Sequence, residues 1–462
     1  MNILSKKEKL TLDEVAKMIN STPDALEEFE EAYKKASIIE EKNNKNFFNI
    51  NSRQASKQTD KLINTEAELE AIISKSVAAL IDQTSIWTYD SGMIEEIKGE
   101  PSEDGITKEV LRKLPKKLRP DLTSNLMKID IKTPTGYELL DMYNRYVKES
   151  DPEKKEQAYQ LFRVGLDTLD LDGITYKILE CNYNTMGYWL PKMIEAIEET
   201  ESFLKIPKTT IVKVPLTLLQ LTRCEYFTLS ATTHEIVNRW AKNVFNLEAN
   251  GDYFIKTGTY SSKFDFRNAR VKGEEIKELG DYLLFIHFQA LQMASYLVTP
   301  RYYGVSTTNE WVVRNFIEDK ENNPCIYHGL PLHTEYRVFA DFDAGKVIGI
   351  SPYWEPETMK NRFSKESDSD SADNKHDYVI YSAHENRLME RYNSNKDKII
   401  AEVEKLLPNV NLEGQWSIDI MQNGDDFYFI DMAEASLSAL VECVPKELLR
   451  KNKEDWIPKL EK

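Results

Sequence analysis

Little in this sequence assigns it to a membrane, secreted or zinc-binding class. Its four cysteines in 462 residues lie far apart and form no Cys-x-x-Cys pair, so neither a disulfide framework nor a zinc site is indicated. The chain lacks an apolar run approaching the roughly 18 residues that span a bilayer. Its start, MNILSKKEKL, lacks the apolar segment of a signal peptide. We therefore expect a cytoplasmic protein with no membrane partner.

The chain also has fewer basic than acidic residues. The chain has 60 lysines and arginines against 77 aspartates and glutamates, a net charge of −17. A general nucleic-acid binder normally carries a basic surface, so this balance argues against a nucleic-acid partner. The hydrophobic fraction of 41% predicts a globular protein with a substantial core, and the length suits about two or three domains.

Several common catalytic motifs are absent. The segment GTYSSK lacks the second glycine of a phosphate-binding Walker A loop, and there is no G-x-G-x-x-G after a strand. The sequence also has no H-E-x-x-H zinc motif and no G-x-S-x-G nucleophile elbow. Any active site must therefore be built from residues that lie further apart.

Hydrophobic periodicity divides the chain into helical and mixed regions. Residues 1–125 are expected to be mainly helical, and residues 126–205 helical with one or two strands, one of them at 172–180. From 206 to 450, helices alternate with strands that are often joined as hairpins, which predicts an α+β fold and not a run of βαβ units. Residues 361–377, NRFSKESDSDSADNKHD, have almost nothing to bury and predict a mobile surface loop.

The segment DYFIKTGTYSSK, residues 252–263, ends a strand on a lysine and continues into a polar loop. Loop amides and hydroxyls can bond phosphate oxygens, and a lysine beside them supplies charge. The pattern favours a phosphate site, with residues 257–263 as a mobile lid. Its candidate ligands are Lys256, Thr257, Gly258, Ser261 and Ser262. The alternative is an ordinary surface lysine at a strand end.

A later strand, TEYRVFADFD, carries an acidic and a basic residue on one side. The two-residue period of a strand puts Glu335 and Arg337 on the same face. Charge of both signs in so apolar a strand favours a functional site, although a cross-strand salt bridge is the alternative.

The acidic candidates lie on a predicted hairpin, QWSIDIMQNGDDFYFIDMAE, with its turn at Asn423-Gly424. Asp419 and Asp431 fall on its two strands, and Glu434 follows closely. Converging carboxylates without histidine or cysteine suit Mg²⁺ with phosphates as co-ligands. Solvated hairpin carboxylates are the alternative.

A strand that ends on a lysine, a polar loop, a strand with Glu335 and Arg337, and an acidic hairpin follow one another along about residues 205–445. This order resembles the ATP-grasp superfamily. The resemblance implies a small lobe at about 206–305 and a large lobe at about 306–450, two α+β lobes that hold ATP between them. A mainly helical N-terminal region would precede them.

The resemblance also implies roles for individual residues. Lys256 would bind the nucleotide phosphates, and Lys213 in TTIVKVP corresponds to the family's first phosphate lysine. The strand EWVVRNFIED would lead into a hinge that binds adenine, at Asn315, Phe316, Ile317 and Glu318. Glu335 would contact the nucleotide, and Arg337 would act with Lys256 on the transferred phosphoryl group. Asp419 and Asp431 would bind Mg²⁺.

One departure bears on activity. The family commonly ends on Glu-x-Asn, whereas this chain has Asp431-Met432-Ala433, and Glu434 would replace the missing amide. Such an ending resembles a divergent bacterial and phage branch of ATP-grasp proteins.

The implied activity is an ATP-dependent ligase that joins a carboxylate to an amine or thiol through an acyl phosphate. Its substrates would be small molecules or peptides. The alternatives are a non-catalytic ATP-binding regulatory or assembly module, and another phosphoryl or nucleotidyl transferase. The sequence predicts no oligomeric state.

Overall fold

The computed structural model describes residues 70–71, 73–100, 182–222, 229, 231–294, 308–364 and 371–450, with a few positions between 145 and 180. These ranges form a mixed α+β structure with two large sheets and a small two-stranded one, which confirms the expected fold class at this level. Within the described ranges, no helix combines the length and the apolar composition needed to cross a membrane.

The first sheet has six strands in the order β2-β1-β4-β7-β5-β6, and all its pairings are antiparallel. The strands are β1 (Ser85–Asp90), β2 (Met93–Ile97), β4 (Thr209–Lys213), β5 (Asp252–Thr257), β6 (Arg270–Lys272) and β7 (Glu310–Asn315).

The second sheet has five strands in the order β11-β10-β12-β13-β3. Its pairings are antiparallel except for β13 with β3. The strands are β3 (Leu204–Lys205), β10 (Thr334–Asp341), β11 (Lys346–Pro352), β12 (Gln415–Asn423) and β13 (Asp426–Glu434). A separate hairpin pairs β8 (Cys325–Ile326) with β9 (Leu330–Pro331).

Six α-helices that lie wholly within the described ranges surround the sheets. They are α1 (Met186–Glu199), α2 (Leu216–Leu221), α3 (Ala231–Phe245), α4 (Leu279–Ala294), α5 (Pro356–Ser364) and α6 (Ser371–Leu406).

Two hydrophobic cores pack on opposite faces of the first sheet, because its central strands carry apolar side chains on both faces. Trp311 and Val313 join the core that contains α3 and α4. Ile211 and Val312 join a second core, which continues through α1 to the second sheet and α6. A strand buried on both faces reads as a nearly continuous apolar run, as WVV in β7 does. The second core therefore ties the two sheets together.

The described part of residues 1–125, residues 70–71 and 73–100, contains two strands as well as helix. β1 and β2 form a hairpin around Ser91 and Gly92, whose φ angles are 51° and 86°. Two successive positive φ angles give the tight turn that matches strand twist. Because β1 pairs with β4, the first sheet includes residues well before the predicted start at 206.

Two strands cross the other predicted boundaries. β3 lies at the end of the region expected to precede both lobes, yet it pairs with β13 of the second sheet. β7 lies beyond residue 306, yet it is central in the first sheet. Strand pairing joins segments that are distant in sequence, and local periodicity does not encode such partners.

The strand expected at residues 172–180 is wrong at its described positions. Tyr176, Leu179 and Glu180 are helical. Tyr176 and Leu179 are both buried, and a spacing of three puts them on one face of a helix.

The loop expected at residues 361–377 is also wrong at its described positions. α5 ends at Ser364 and α6 begins at Ser371, while residues 365–370 lie outside the described ranges. The Asp377 carboxylate accepts a hydrogen bond from the Tyr327 amide at 2.8 Å, and Phe363 stacks on Tyr327. These contacts with the β8–β9 hairpin supply partners that the polar sequence does not reveal.

Candidate functional site

Charged side chains from both sheets meet in one place, which we call the charged cluster. Four are basic and three are acidic, and they come from β5, the turn after it, β7, β10, β12 and β13. The members are Lys256, Lys263, Arg314, Glu335, Arg337, Asp419 and Asp431.

Lys256 of β5 and Asp431 of β13 form an ion pair between the sheets. The Lys256 Nζ lies 2.9 and 2.8 Å from the two carboxylate oxygens of Asp431. The lysine is only 2% exposed, whereas the Asp431 side chain is 38% exposed. Burial lowers the pKa of Lys256 against the opposing pull of Asp431. Burial raises the pKa of Asp431, but Lys256 outweighs it and holds that pKa below its usual value.

Arg337 of β10 and Asp419 of β12 form a second ion pair within the second sheet. They are register partners, so their side chains stand on the same face. The Arg337 Nε and Nη2 donate to the two Asp419 oxygens at 2.8 and 2.7 Å. Burial acts to lower the pKa of Arg337, and Asp419 more than offsets it. The sequence named these four residues as candidates but did not predict which of them pair; the structure pairs Lys256 with Asp431 and Arg337 with Asp419.

Lys263 joins the cluster although sequence analysis did not assign it as a ligand. Its Nζ lies 4.0 Å from the centre of the Tyr353 ring, and the Arg337 guanidinium lies 4.6 Å from the same ring. Burial acts to lower the pKa of Lys263, but Tyr353, Glu335 and Asp419 outweigh it and raise the pKa. The local signal was the basic residue that closes the polar loop.

Glu335 is the one acid of the cluster that is not held in a close ion pair among the described contacts. Its Oε1 accepts a hydrogen bond from Trp354 Nε1 at 3.2 Å, and the residue is 7% exposed. Burial raises the pKa of Glu335 to about 7, with Lys263 opposing the shift and Asp419 adding to it. With four cations and at most three anions, the cluster carries net positive charge in a strongly acidic protein.

Asp419 and Asp431 lie side by side because β13 contains a bulge. From the turn, the register pairs Asn423 with Asp426 and continues to Ile420 with Phe429; it then shifts, so that Asp431 is opposite Asp419. The extra residue is Ile430. In a regular ladder Ile430 would face Asp419, and Asp431 would point to the other face.

The turn of this hairpin lies one residue later than predicted. Asn423 and Asp426 are paired, so Gly424 and Asp425 form the two-residue loop, and Gly424 has a φ of 64°.

Glu434, predicted as a metal ligand, does not join the cluster. It lies three residues beyond Asp431, so the strand period puts it on the opposite face. Its carboxylate accepts hydrogen bonds from Tyr183 Oη at 2.9 Å and from Ser436 Oγ at 2.8 Å. In the described ranges no three histidine, cysteine or acidic residues are grouped closely enough to hold a metal ion. The expected trio of carboxylates is thus reduced to the pair Asp419 and Asp431.

The loop after Lys256 is better packed than its composition predicts. Thr257, Gly258 and Ser262 are buried, and Ser261 is half-buried. The Thr257 Oγ1 accepts a hydrogen bond from the Tyr260 amide at 2.9 Å. Gly258 donates to the Glu310 carbonyl and accepts from the Met186 amide, both at 2.9 Å. The expectation of little burial is therefore wrong, because the absence of a side chain lets Gly258 lie against α1.

Lys213 lies at the end of β4 and is not brought into the cluster by any described contact. Its Nζ is 3.7 Å from Glu180, and its side chain is 43% exposed.

The predicted hinge follows β7 as expected, but several of its main-chain groups are already bonded. The amides of Asn315 and Phe316 donate to the carbonyls of Lys208 and Asp252, both at 2.9 Å. The Glu318 carbonyl accepts from Asn423 Nδ2 at 2.8 Å. Ile317 between them is half-buried.

Comparisons with known proteins add little. No protein-family profile matches the chain. No curated protein matches it in sequence. Among solved structures, C-terminally truncated Cdc123 from Schizosaccharomyces pombe aligns with a TM-score of 0.34 at 12% identity, covering 59% of this chain and 94% of that chain. Cdc123 from the same organism aligns with a TM-score of 0.31 at 11% identity, covering 60% and 95%. Similarity at this level supports no statement about fold family or activity.

Proposed function

We propose that the charged cluster binds the phosphates of ATP together with Mg²⁺, and that the two sheets are the lobes of an ATP-grasp fold. The observation that carries this is the pair of facing ion pairs, Lys256–Asp431 and Arg337–Asp419. Phosphates can replace the carboxylates at the two cations, while the released carboxylates bind the metal. Such an exchange leaves no buried charge without a partner.

The residues fit the metal as a pair. Mg²⁺ commonly uses one or two protein carboxylates, with water and substrate phosphates as its other ligands. Asp419 and Asp431 are register partners on one face, so two anionic oxygens can reach one ion. Lys263 and Arg314 add cations for the remaining phosphate charge.

We propose a ligase reaction at this site. A substrate carboxylate oxygen would attack the γ-phosphorus of ATP, ADP would leave, and an amine or thiol would then attack the acyl carbon and release phosphate. Lys256 and Arg337 would stabilise the charge on the transferred group. The substrates would be small-molecule or peptide carboxylates and amines.

A non-catalytic ATP-binding module is the second candidate. Glu434 lies on the face of β13 opposite to Asp431, and this favours the module. The next residue on the face of Asp431 is Ala433, which has no polar side chain. A site with only two carboxylates is sufficient for binding one metal ion, whereas the family's missing amide serves a second.

Calorimetric titration with ATP and Mg²⁺ tests the binding site. Asp431→Asn should weaken binding by about 10- to 100-fold, the effect of about 1.5–3 kcal/mol for a lost charged contact. Asp426→Asn is the matched control, since Asp426 lies on the same strand and pairs with Lys205 and Lys320. Glu434→Gln should lower the melting temperature without weakening the binding of ATP. Equal affinities for Asp431→Asn and Asp426→Asn would remove the assignment.

A mass-spectrometric search for ADP separates the two candidates. The wild type would be incubated with ATP, Mg²⁺ and pooled amino acids and peptides. ADP release that depends on the pool supports the ligase, whereas binding of ATP without ADP from any pool supports the module.

A further inference from the structure

A buried arginine, Arg314, reaches from the first sheet to the main chain of the second. It lies on β7 and is 4% exposed. Its Nε donates to Thr209 Oγ1 at 3.0 Å. Its Nη1 donates to the Ile430 carbonyl at 2.5 Å, and its Nη2 to the Phe429 carbonyl at 3.3 Å. The guanidinium therefore connects β4, β7 and β13.

Both carbonyls belong to the bulge that places Asp431. The register shift lies between Asp419 and Ile420 and leaves Ile430 as the extra residue on β13. A bulge disrupts the hydrogen-bond ladder of its strand, and buried carbonyls without donors cost free energy. Arg314 supplies two donors at the place where the ladder is interrupted.

From these contacts we infer that Arg314 is a positioning residue, which holds the Ile430 bulge so that Asp431 lies beside Asp419 on the face of the charged cluster. Its effect on metal and nucleotide binding rests on the proposed function; its effect on strand register does not. Without these donors, the regular register would put Ile430 opposite Asp419 and turn Asp431 to the other face.

Two neighbouring carbonyls must be bonded at this position, and arginine can donate to both. Burial lowers the pKa of Arg314 to about 10, and Asp431 opposes the shift. Burying a cation whose direct acceptors are uncharged is costly compared with burying an apolar side chain. The planar fork of a guanidinium can donate to two neighbouring carbonyls, whereas a lysine ammonium is a point charge.

The test uses disulfide formation as a reporter of register, in a background with the four native cysteines replaced by serine. Ser417 and Ala433 are register partners beyond the bulge, and Met421 and Tyr428 are partners on the turn side. The double variant Ser417→Cys/Ala433→Cys reports the shifted register. The double variant Met421→Cys/Tyr428→Cys is a control that the bulge does not affect.

Arg314→Met and Arg314→Lys would be introduced into both backgrounds. A matched control is Arg391→Met, since Arg391 Nη2 donates to the Gly424 carbonyl at 3.0 Å at the turn of the same hairpin. We expect Arg314→Met to slow formation of the 417–433 disulfide by about tenfold or more and to leave the rate for 421–428 unchanged. Arg314→Lys should give an intermediate rate for 417–433. Arg391→Met should leave 417–433 unchanged. If Arg314→Met does not fold, the comparison between Arg314→Lys and wild type decides.

A second measurement, on proteins with all native residues except Arg314, is the affinity for Mn²⁺ with ATP. Displacing a residue that orients a ligand typically weakens metal binding by about 10- to 100-fold. An unchanged 417–433 disulfide in both Arg314 variants overturns the inference, whatever the nucleotide affinity. If that disulfide is lost and the wild type binds no Mn²⁺ and ATP, the positioning role stands and the proposed function fails.

Discussion

Two of the acidic side chains in the charged cluster are neutralised by close basic partners, and these pairs determine what a single substitution does. Asp419 is bonded through both oxygens to Arg337, and Asp431 through both to Lys256. Removing one member of a buried pair leaves the other without compensation. Substitutions in the cluster should therefore change both stability and binding, and double variants are needed to separate the two.

Lys256→Met should destabilise the folded protein because it leaves Asp431 without its ammonium partner. The coupling between Lys256→Met and Asp431→Asn should be about 1.5–3 kcal/mol, the range for hydrogen bonds to charged groups. Urea unfolding of the wild type, both single variants and the double variant measures it. Additive single effects would show that the contact contributes nothing to stability.

Glu335 should make the protein less stable as pH rises. Its folded pKa of about 7 exceeds the unfolded value of about 4.3, so the folded state binds more protons between these values. The stabilisation is complete below about pH 4.3 and is lost as pH rises through about 7. Relative to the wild type, Glu335→Gln should gain up to about 3.7 kcal/mol of stability across this interval.

Unfolding of both proteins in urea at a series of pH values measures this difference. Glutamine retains an oxygen for Trp354 Nε1, so the difference reports the charge. Parallel stability curves for the two proteins would contradict a raised pKa at Glu335.

At the scale of elements, the segment between β5 and β6 is a packed connection. Gly258 lies where a Cβ would overlap Thr185 Oγ1 and would come within 2.6 Å of Thr308 Oγ1. These two hydroxyls are hydrogen-bonded to each other at 3.0 Å. The polar loop is thus held against the start of α1, and its closure over a ligand would need more than a hinge at Gly258.

Gly258→Ala should destabilise the protein by about 1–3 kcal/mol, the usual range for overpacking. Thr185→Ala removes the overlapped hydroxyl, so the double variant should lose less than the sum of the two single variants. Thermal melts of the four proteins check this. A Gly258→Ala protein that melts with the wild type would mean that the loop is loosely packed.

Across the whole molecule, residues 73–100 pack into the main fold. Ile73, Val77 and Leu80 belong to the core with α3 and α4, and Tyr89 belongs to the core with α1. The hydroxyl of Thr84 accepts a hydrogen bond from Trp240 Nε1 at 3.0 Å. Residues 73–89 therefore contribute side chains to both cores.

A chain that begins at residue 101 should fail to fold cooperatively. Burying each large apolar side chain contributes about 1.5–3 kcal/mol, so losing four approaches the whole stability of about 5–15 kcal/mol. Circular dichroism on heating checks this. Ile97→Thr is the control: Ile97 is 61% exposed and its replacement should cost within about 0.5 kcal/mol. A sharp melt of the shortened chain would show that the hairpin is dispensable.

Much of the local structure follows from the sequence alone. The apolar and β-favouring runs predicted β5, β7 and β10, and the Asn-Gly signal predicted the β12–β13 hairpin to within one residue. The polar composition of residues 361–377 was misleading, because partners on the β8–β9 hairpin hold α5 and α6. A sequence pattern predicts a helix or strand correctly when the apolar residues of that segment themselves form its buried face.

The charged residues could be listed from the sequence, but their arrangement could not. Period two placed Glu335 and Arg337 on one face, and it would have placed Asp419 and Asp431 on opposite faces without the bulge. Arg314 gave no local signal, since a basic residue in an apolar strand has no visible partner until β13 lies beside it. The order of amino acids specifies which side chains carry charge and where most strands form. Which charges pair, and which face they share, follows from the folded chain, because these depend on hydrogen bonds between residues 82 to 175 positions apart.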